Sequence, residues 1–303
     1  MKKNENFKAY LAWISICIIW GTTYLAIRIG VEDMPPVLFA GFRWIIAGPI
    51  LFTLLRLKGM PLPKKGDLIP MAIVGLALLG IGNGFVVFAE QSVPSGLTSL
   101  LITTVPFWIV GMEAFMPKGT RLNALTLTGL LLGLAGIVLI FGGDVESLVE
   151  PEFLAGIISL MIAVVGWSAG TLYSKYKKVS VHPLMGASVQ MIIAGAIMTL
   201  FGIAIGETSS FHFTGESLIA FIYLIIFGSI IGYASYIYAV AHLPVSLVST
   251  YAYVNPIIAL FLGWLVLDEK ITTEIFIGAA IILGGVALVK KGTSLKRAGL
   301  VKE

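Results

Sequence analysis

The sequence predicts an all-α polytopic membrane protein: ten transmembrane helices arranged as two inverted five-helix repeats. Three observations carry that prediction, namely long apolar runs, basic residues confined to alternate connections, and a chain that matches itself half-way along. The first is compositional. Of 303 residues, 58% are hydrophobic and 12% charged, where soluble domains carry about 25% charged residues. Runs of about 20 apolar residues, long enough to cross hydrocarbon as a helix, fall near Tyr10–Ile29, Val37–Leu55, Leu68–Ala89, Gly96–Phe115 and Leu122–Phe141. Five more follow near Phe153–Tyr173, Leu184–Ile205, Leu218–Ala241, Val245–Leu267 and Ile275–Val289. A membrane β-barrel would show short segments of alternating polarity instead. The opening stretch, basic and then apolar, has the outline of a signal peptide. Its apolar run continues to Ile29 without a small-residue cleavage site, so it reads as a retained first helix.

The second observation sets orientation. With the N-terminus inside, the inner segments hold 17 of the 20 lysines and arginines, and the outer segments hold only Lys270. Arg28 and Arg43 lie within spans, and the outer loop after the fifth span carries Asp144, Glu146, Glu150 and Glu152. The positive-inside rule then puts both termini in the cytoplasm of a chain in the cytoplasmic (inner) membrane.

The third is internal repetition. An offset of 147 residues lays Trp20 on Trp167, Pro36 on Pro183, and Ile45-Ile46-Ala47-Gly48 on Ile192-Ile193-Ala194-Gly195. An offset of 150 lays Gly82 on Gly232, Pro94 on Pro244, Ser99 on Ser249 and Pro106 on Pro256. The expected halves are residues 1–145 and 146–303. Because each has five helices, the second enters the membrane from the opposite side, the plan in which two bundles rock about a midplane site.

Two stretches resemble a known family. "CIIWGTTYLAIRIG" followed by "PPVLFAGFRWIIAG", and "SLVSTYAYVNPIIALFLGWLVLDEKIT" with its Asn-Pro and its acidic pair Asp268-Glu269, resemble the EamA branch of the drug/metabolite transporter superfamily. The resemblance spans nearly the whole chain. It implies a ten-helix inner-membrane carrier, usually of efflux type, moving amino acids, other metabolites or drugs. A sugar-phosphate or nucleotide-sugar carrier of the same superfamily is the alternative.

Candidate pathway residues are those whose polarity or shape is out of place at membrane depth. Arg43 follows six residues after Val37, about 10 Å into the span, where even mild scales charge about 2.5 kcal/mol for a guanidinium. Its repeat mate is neutral Gln190. Arg43 is expected to face the interior, bonded to helix-end carbonyls or Glu90, with a purely structural strut as the alternative. Trp20 and Trp167 are repeat mates placed mid-span, where no interfacial belt would put them. Tyr233, Tyr236, Tyr251 and Tyr253 offer aromatic walls for an apolar or cationic solute or fill helix interfaces. Asn83, among Gly80, Gly82 and Gly84, faces either a cavity or a neighbouring helix. Pro106 and Pro256 predict kinks that release the carbonyls of Ile102 and Ala252 beside Thr103, Thr104 and Asn255.

Carboxylates at depth would bear on coupling. The first span has none, unlike the small multidrug exporters of the superfamily. Glu113 is expected to pair with Lys118 or Arg121, and Glu90 to sit at the outer boundary within reach of Arg43. Protons are the candidate coupling ion, with uniport and exchange also open. The string Gly129, Gly133 and Gly136 suits close helix packing, within the chain or between copies, so the oligomeric state stays open.

Other classes find little support. Cys17 is alone, and His182, His212 and His242 lack ligand spacing, so no metal or cofactor is implied. Basic residues sit in short loops rather than an aromatic-laced stripe, which argues against nucleic acid. No His-Glu-x-x-His, paired membrane aspartates or nucleotide loop supports an enzyme or a primary pump, and no filter-like segment supports a channel. The expected partners are a small-molecule substrate and the lipid bilayer. With one clear cation at depth, a highly charged substrate fits poorly.

Overall fold

A computed structural model describes residues 2–116, 123–142, 150–177 and 179–297. Its helices, labelled in chain order, are α1 (Lys2–Asp33), α2 (Pro36–Leu57), α3 (Lys65–Ala89), α4 (Ser95–Ala114) and α5 (Ala124–Gly142). The second set is α6 (Pro151–Tyr176), α7 (Pro183–Ala204), α8 (Gly215–His242), α9 in two pieces (Val245–Val248 and Tyr251–Leu267) and α10 (Thr273–Arg297). Seven of these are long and apolar enough to cross a membrane, and the apolar stretches Ala124–Ile140, Tyr251–Leu267 and Thr273–Val289 are shorter. Large side chains such as Leu131, Val138, Leu200, Ile219 and Phe276 stay exposed around the bundle, as a lipid-facing surface requires.

The two halves interlock rather than sit side by side. The most extensive pairings are α5 with α10 and α2 with α7, each joining a helix to its repeat mate. In the same sense α1 packs on α8 and α9, while α6 packs on α3 and α4. Small residues permit this. On Gly136 a methyl would lie 2.8 Å from the Gly278 carbonyl, and on Gly133 it would overlap the Phe107 ring. The glycine string of α5 is thus consumed inside the chain, by α10 and α4.

Three features differ from a plain ten-helix reading. Helices α1 and α10 extend past their predicted apolar spans, because a hydropathy reading marks the hydrocarbon and not the helix ends. Helices α3 and α8 each contain a π-helical stretch, Leu76–Asn83 and Leu224–Tyr233; such bulges widen the helix and recur at functional sites. Finally, α4 and α9 are interrupted before their prolines. Thr103 and Thr104 donate backbone N–H groups three residues back, to Leu100 and Leu101 (both 3.1 Å), and the Thr104 hydroxyl also donates to Leu101 (2.7 Å). In α9, Thr250 repeats the pattern on Leu247, at 3.1 Å from its N–H and 2.7 Å from its hydroxyl. The hydroxyls near the prolines are therefore satisfied by their own helix turns. Pro106 lies in the first turn of the second piece of α4, which starts at Val105, and Pro256 lies inside the second piece of α9.

Candidate functional site

The interrupted and π-helical segments meet at the centre of the bundle. Each mid-span indole lies against the π-helical glycine of the other half: a methyl on Gly82 would fall 2.8 Å from the Trp167 ring, and one on Gly232 2.5 Å from Trp20 Nε1. A side chain at either glycine would push the indole away, so both positions need close approach. Trp20 Nε1 donates to the Gly228 carbonyl (3.2 Å) in the π-helical part of α8, and Trp167 Nε1 donates to the Tyr236 hydroxyl (3.2 Å). Ring centroids of Trp20 lie 5.3, 5.1 and 5.2 Å from those of Trp167, Tyr236 and Tyr251. Edge and tilted contacts at this spacing add stability beyond buried area.

Beside this aromatic cluster is a cavity of about 70 Å³, bounded by Trp20, Tyr24, Arg43, Trp44, Asn83, Val86, Trp167, Tyr233 and Tyr251, among others. The cavity brings together six of the sequence-chosen residues from six helices. Arg43 is 3% exposed. Its Nη2 donates to Asn83 Oδ1 (2.6 Å), and its guanidinium carbon lies 4.1 Å from the centre of the Trp44 ring. Arg43 Nε and Trp44 Nε1 are buried without a hydrogen-bond partner among the described residues. Two unpartnered donors on the wall of a cavity are an acceptor-binding arrangement, because leaving each buried and unmet costs about 1–3 kcal/mol.

Arg43 thus differs from its expected bonding: its partner is Asn83, and Arg28 takes the contact at Glu90, donating to that residue's backbone carbonyl. A guanidinium on α1 was in plain view in the sequence but had no assigned role. Glu90 is fully buried with both carboxylate oxygens unpartnered among the described residues, and the charges near it are Glu269, Arg28 and Arg43. Glu113 is bonded to the Tyr176 hydroxyl (2.7 Å) and lies 3.7 Å from Lys175 Nζ; the expected partners Lys118 and Arg121 lie outside the described residues.

Asn255 and Gln190 are not on the cavity wall. With its amide oriented to match its neighbours, Asn255 donates to the carbonyls of Cys17 (2.9 Å) and Tyr251 (3.1 Å), tying α9 to α1. Gln190 accepts from the Tyr233 hydroxyl (2.7 Å). That bond is a partition. Tyr233 lines the central cavity, while Gln190 lines a second one of about 400 Å³ between α3, α6, α7 and α8 on the face of the chain termini. Met71, Lys175, Lys177, Ile237 and His242 also line this vestibule. At its rim, His182 is held below the usual histidine value by partial burial and by His242, and its Nδ1 accepts the Leu184 N–H (3.3 Å) at the start of α7. Trp44 escaped the sequence reading although it adjoins Arg43 in "FRW"; an apolar run gives no sign of which indole turns inward.

Comparison with known proteins gives concordant results. The model of the EamA-like transporter family matches twice, over residues 7–142 and 154–290. The chain is 34% identical to the "Uncharacterized inner membrane transporter YedA" of Escherichia coli K12, over 97% of this chain and 94% of that protein. It is 24% identical to a "Probable amino-acid metabolite efflux pump" of the same organism, over 93% and 95% of the two chains. A solved crystal structure, 24% identical, superimposes with a TM-score of 0.70 over 93% of this chain and 96% of that one, a likeness of fold.

Proposed function

This chain belongs to the EamA-like transporter family, and from that premise we propose that it exports a small carboxylate-bearing metabolite of amino-acid size by alternating access. The observation that carries this reading is the buried Arg43, with an unpartnered Nε, on the wall of a small cavity that also presents three indoles and three phenols. One guanidinium recognises one carboxylate. The faces of Trp20, Trp167 and Tyr251 suit an apolar body or an ammonium group. Volume favours a small solute: about 70 Å³ is only about twice the share of one water in the liquid, about 30 Å³. Drug-sized ligands occupy about 300–1,000 Å³. A relative named as an amino-acid metabolite efflux pump supports the same class.

In this reading the termini lie in the cytoplasm of an inner-membrane protein, and the 400 Å³ vestibule is the cytoplasmic approach. The Tyr233–Gln190 bond is then the inner gate, and the buried charges around Glu90 belong to the outer side. The two five-helix units, residues 1–145 and 146–303, rock about the Trp20–Trp167 contact. Protons are the proposed coupling ion.

The test is purified protein in liposomes, assayed with amino acids, drugs and sugar phosphates, with and without an imposed proton gradient. Saturable flux of amino acids that responds to the gradient is expected. Flux restricted to sugar phosphates, or conductance at channel rates, would overturn the reading.

A further inference from the structure

The acidic pair that ends α9 enters neither cavity. Asp268 adopts a left-handed backbone (φ 53°), and the reversal folds Glu269 back over its own helix, its N–H donating to the Gly263 carbonyl (3.1 Å). A methyl on Gly263 would overlap Glu269 Oε2, so the glycine makes the slot. From that slot Oε1 and Oε2 accept the N–H groups of Ser95 (2.7 Å) and Gly96 (3.0 Å), the first residues of α4 in the other half.

The connection after α7 is built in the same way. Gly206 supplies the left-handed turn (φ 85°), and Glu207 accepts the N–H groups of Val37 (3.2 Å) and Leu38 (2.7 Å) at the start of α2. A methyl on Gly202 would lie 3.1 Å from Glu207 Oε2. Each glutamate therefore rests on a glycine of the helix it follows and holds the N-terminus of a helix in the opposite half. A carboxylate can accept both N–H groups at once and meets the positive end of the helix dipole. Both clasps lie on the face away from the termini, the outer face.

The repeat makes this pairing informative. The offset of 147 carries Gly206 to Gly59, which takes the same left-handed turn (φ 77°), but carries Glu207 to Met60. The offset of 150 carries Glu269 to Gly119. The inner face thus keeps the turn at Gly59 and has no carboxylate at either equivalent position. There, carboxylates do cross between the halves, Asp67 onto Ser180 and Glu113 onto Tyr176 and Lys175, but neither sits on a helix N-terminus of the other half, and the α7 N-terminus is capped by His182.

We propose that Glu207 and Glu269 are the positioning residues of the outer gate: cross-half clasps that hold α2 and α4 closed against α7 and α9 and must release before the cavity opens outward. Opening toward the cytoplasm leaves both clasps made. The proposal rests on the carrier reading above, and its test reads accessibility rather than flux, so the two can fail separately.

The experiment uses the full chain in its native membrane, with Cys17→Ala and a reporter cysteine at cavity-lining Val86. A membrane-impermeant maleimide is applied to intact cells for the outer face and to inverted vesicles for the inner face. Replacing both glutamates (E207Q, E269Q) keeps their size but sets an amide NH₂ against one backbone N–H at each clasp. Outer labelling is expected to rise about tenfold, with inner labelling falling. Unchanged outer labelling, or an equal rise on both faces from general loosening, overturns the proposal. Should the pair fail to reach the membrane, E207Q and E269Q are read singly; each is expected to raise outer labelling about threefold, and parent-like labelling of both overturns it.

Discussion

Between the central cavity and the vestibule on the termini face stands a hydrogen bond of two neutral side chains, Tyr233 and Gln190. On that face the halves are also joined by Glu113 with Tyr176 and Lys175 and by Asp67 with Ser180, whereas on the opposite face two glutamates sit on helix N-termini of the other half, Arg28 on the Glu90 carbonyl, and Asp33 beside Thr214 and His212. The two faces are related by the internal repeat, and their backbones follow it closely enough that Gly59 and Gly206 share a turn. Their side chains do not. Pseudo-symmetric backbones supply two equivalent conformations to exchange between; unequal side chains bias which one is populated.

Five substitutions test that contrast, in order of decreasing effect. Gly82→Leu and Gly232→Leu drive a side chain into Trp167 and Trp20 respectively. Each should cost about 3 kcal/mol by overpacking, seen as a loss of thermal stability in detergent. Equal damage would show that the aromatic centre belongs to both halves alike, and damage from one alone would break the symmetry there. Arg43→Gln makes the first half resemble the second, whose counterpart is Gln190. Substrate affinity should fall by about 10- to 100-fold, as expected for a lost charge-assisted contact, and a folded variant transporting at unchanged affinity and rate would remove Arg43 from the pathway.

Tyr233→Phe removes the hydroxyl that bonds Gln190, a loss of about 1 kcal/mol. Labelling of a cysteine at Val86 should rise by about fivefold from the inner face, with no change from the outer; a rise on both faces would contradict a one-sided gate. The smallest effect concerns His182. Its value is lowered in the folded protein, so the unfolded chain binds that proton more readily. The stability it contributes is full above the ordinary histidine value and is lost as pH falls below it. His182→Asn keeps a capping acceptor without the titration, and should flatten the fall in Tm between pH 7.5 and pH 5 by about 1 °C.

Much of the architecture was legible because hydrophobic length and charge bias act locally. Ten apolar runs and the confinement of basic residues to alternate loops need no tertiary information. The mid-span positions of Trp20, Trp167 and Arg43 were legible for the same reason, since polar or bulky residues at depth demand a partner. Which partner was not. Arg43 reaches Asn83, the last residue of the π-helical stretch of α3, and not Glu90, and no residue in that apolar stretch announces a π turn. Asn255, beside a proline, reads as a cavity residue, yet it ties α9 to α1 through the Cys17 carbonyl.

The sequence by itself determined that this chain crosses the membrane, where its connections lie, and that its halves are related, because these follow from the cost of placing polar groups in hydrocarbon and from self-similarity. Only the tertiary structure decided on which face carboxylates clasp the helix N-termini of the other half. Glu207 and Glu269 are ordinary loop glutamates until two left-handed turns and the α2–α7 and α4–α9 pairings bring each carboxylate onto a helix N-terminus more than 170 residues away in the chain in one case and nearly as far in the other. Hydrogen bonds of that reach depend on how the halves interlock, which hydropathy does not encode.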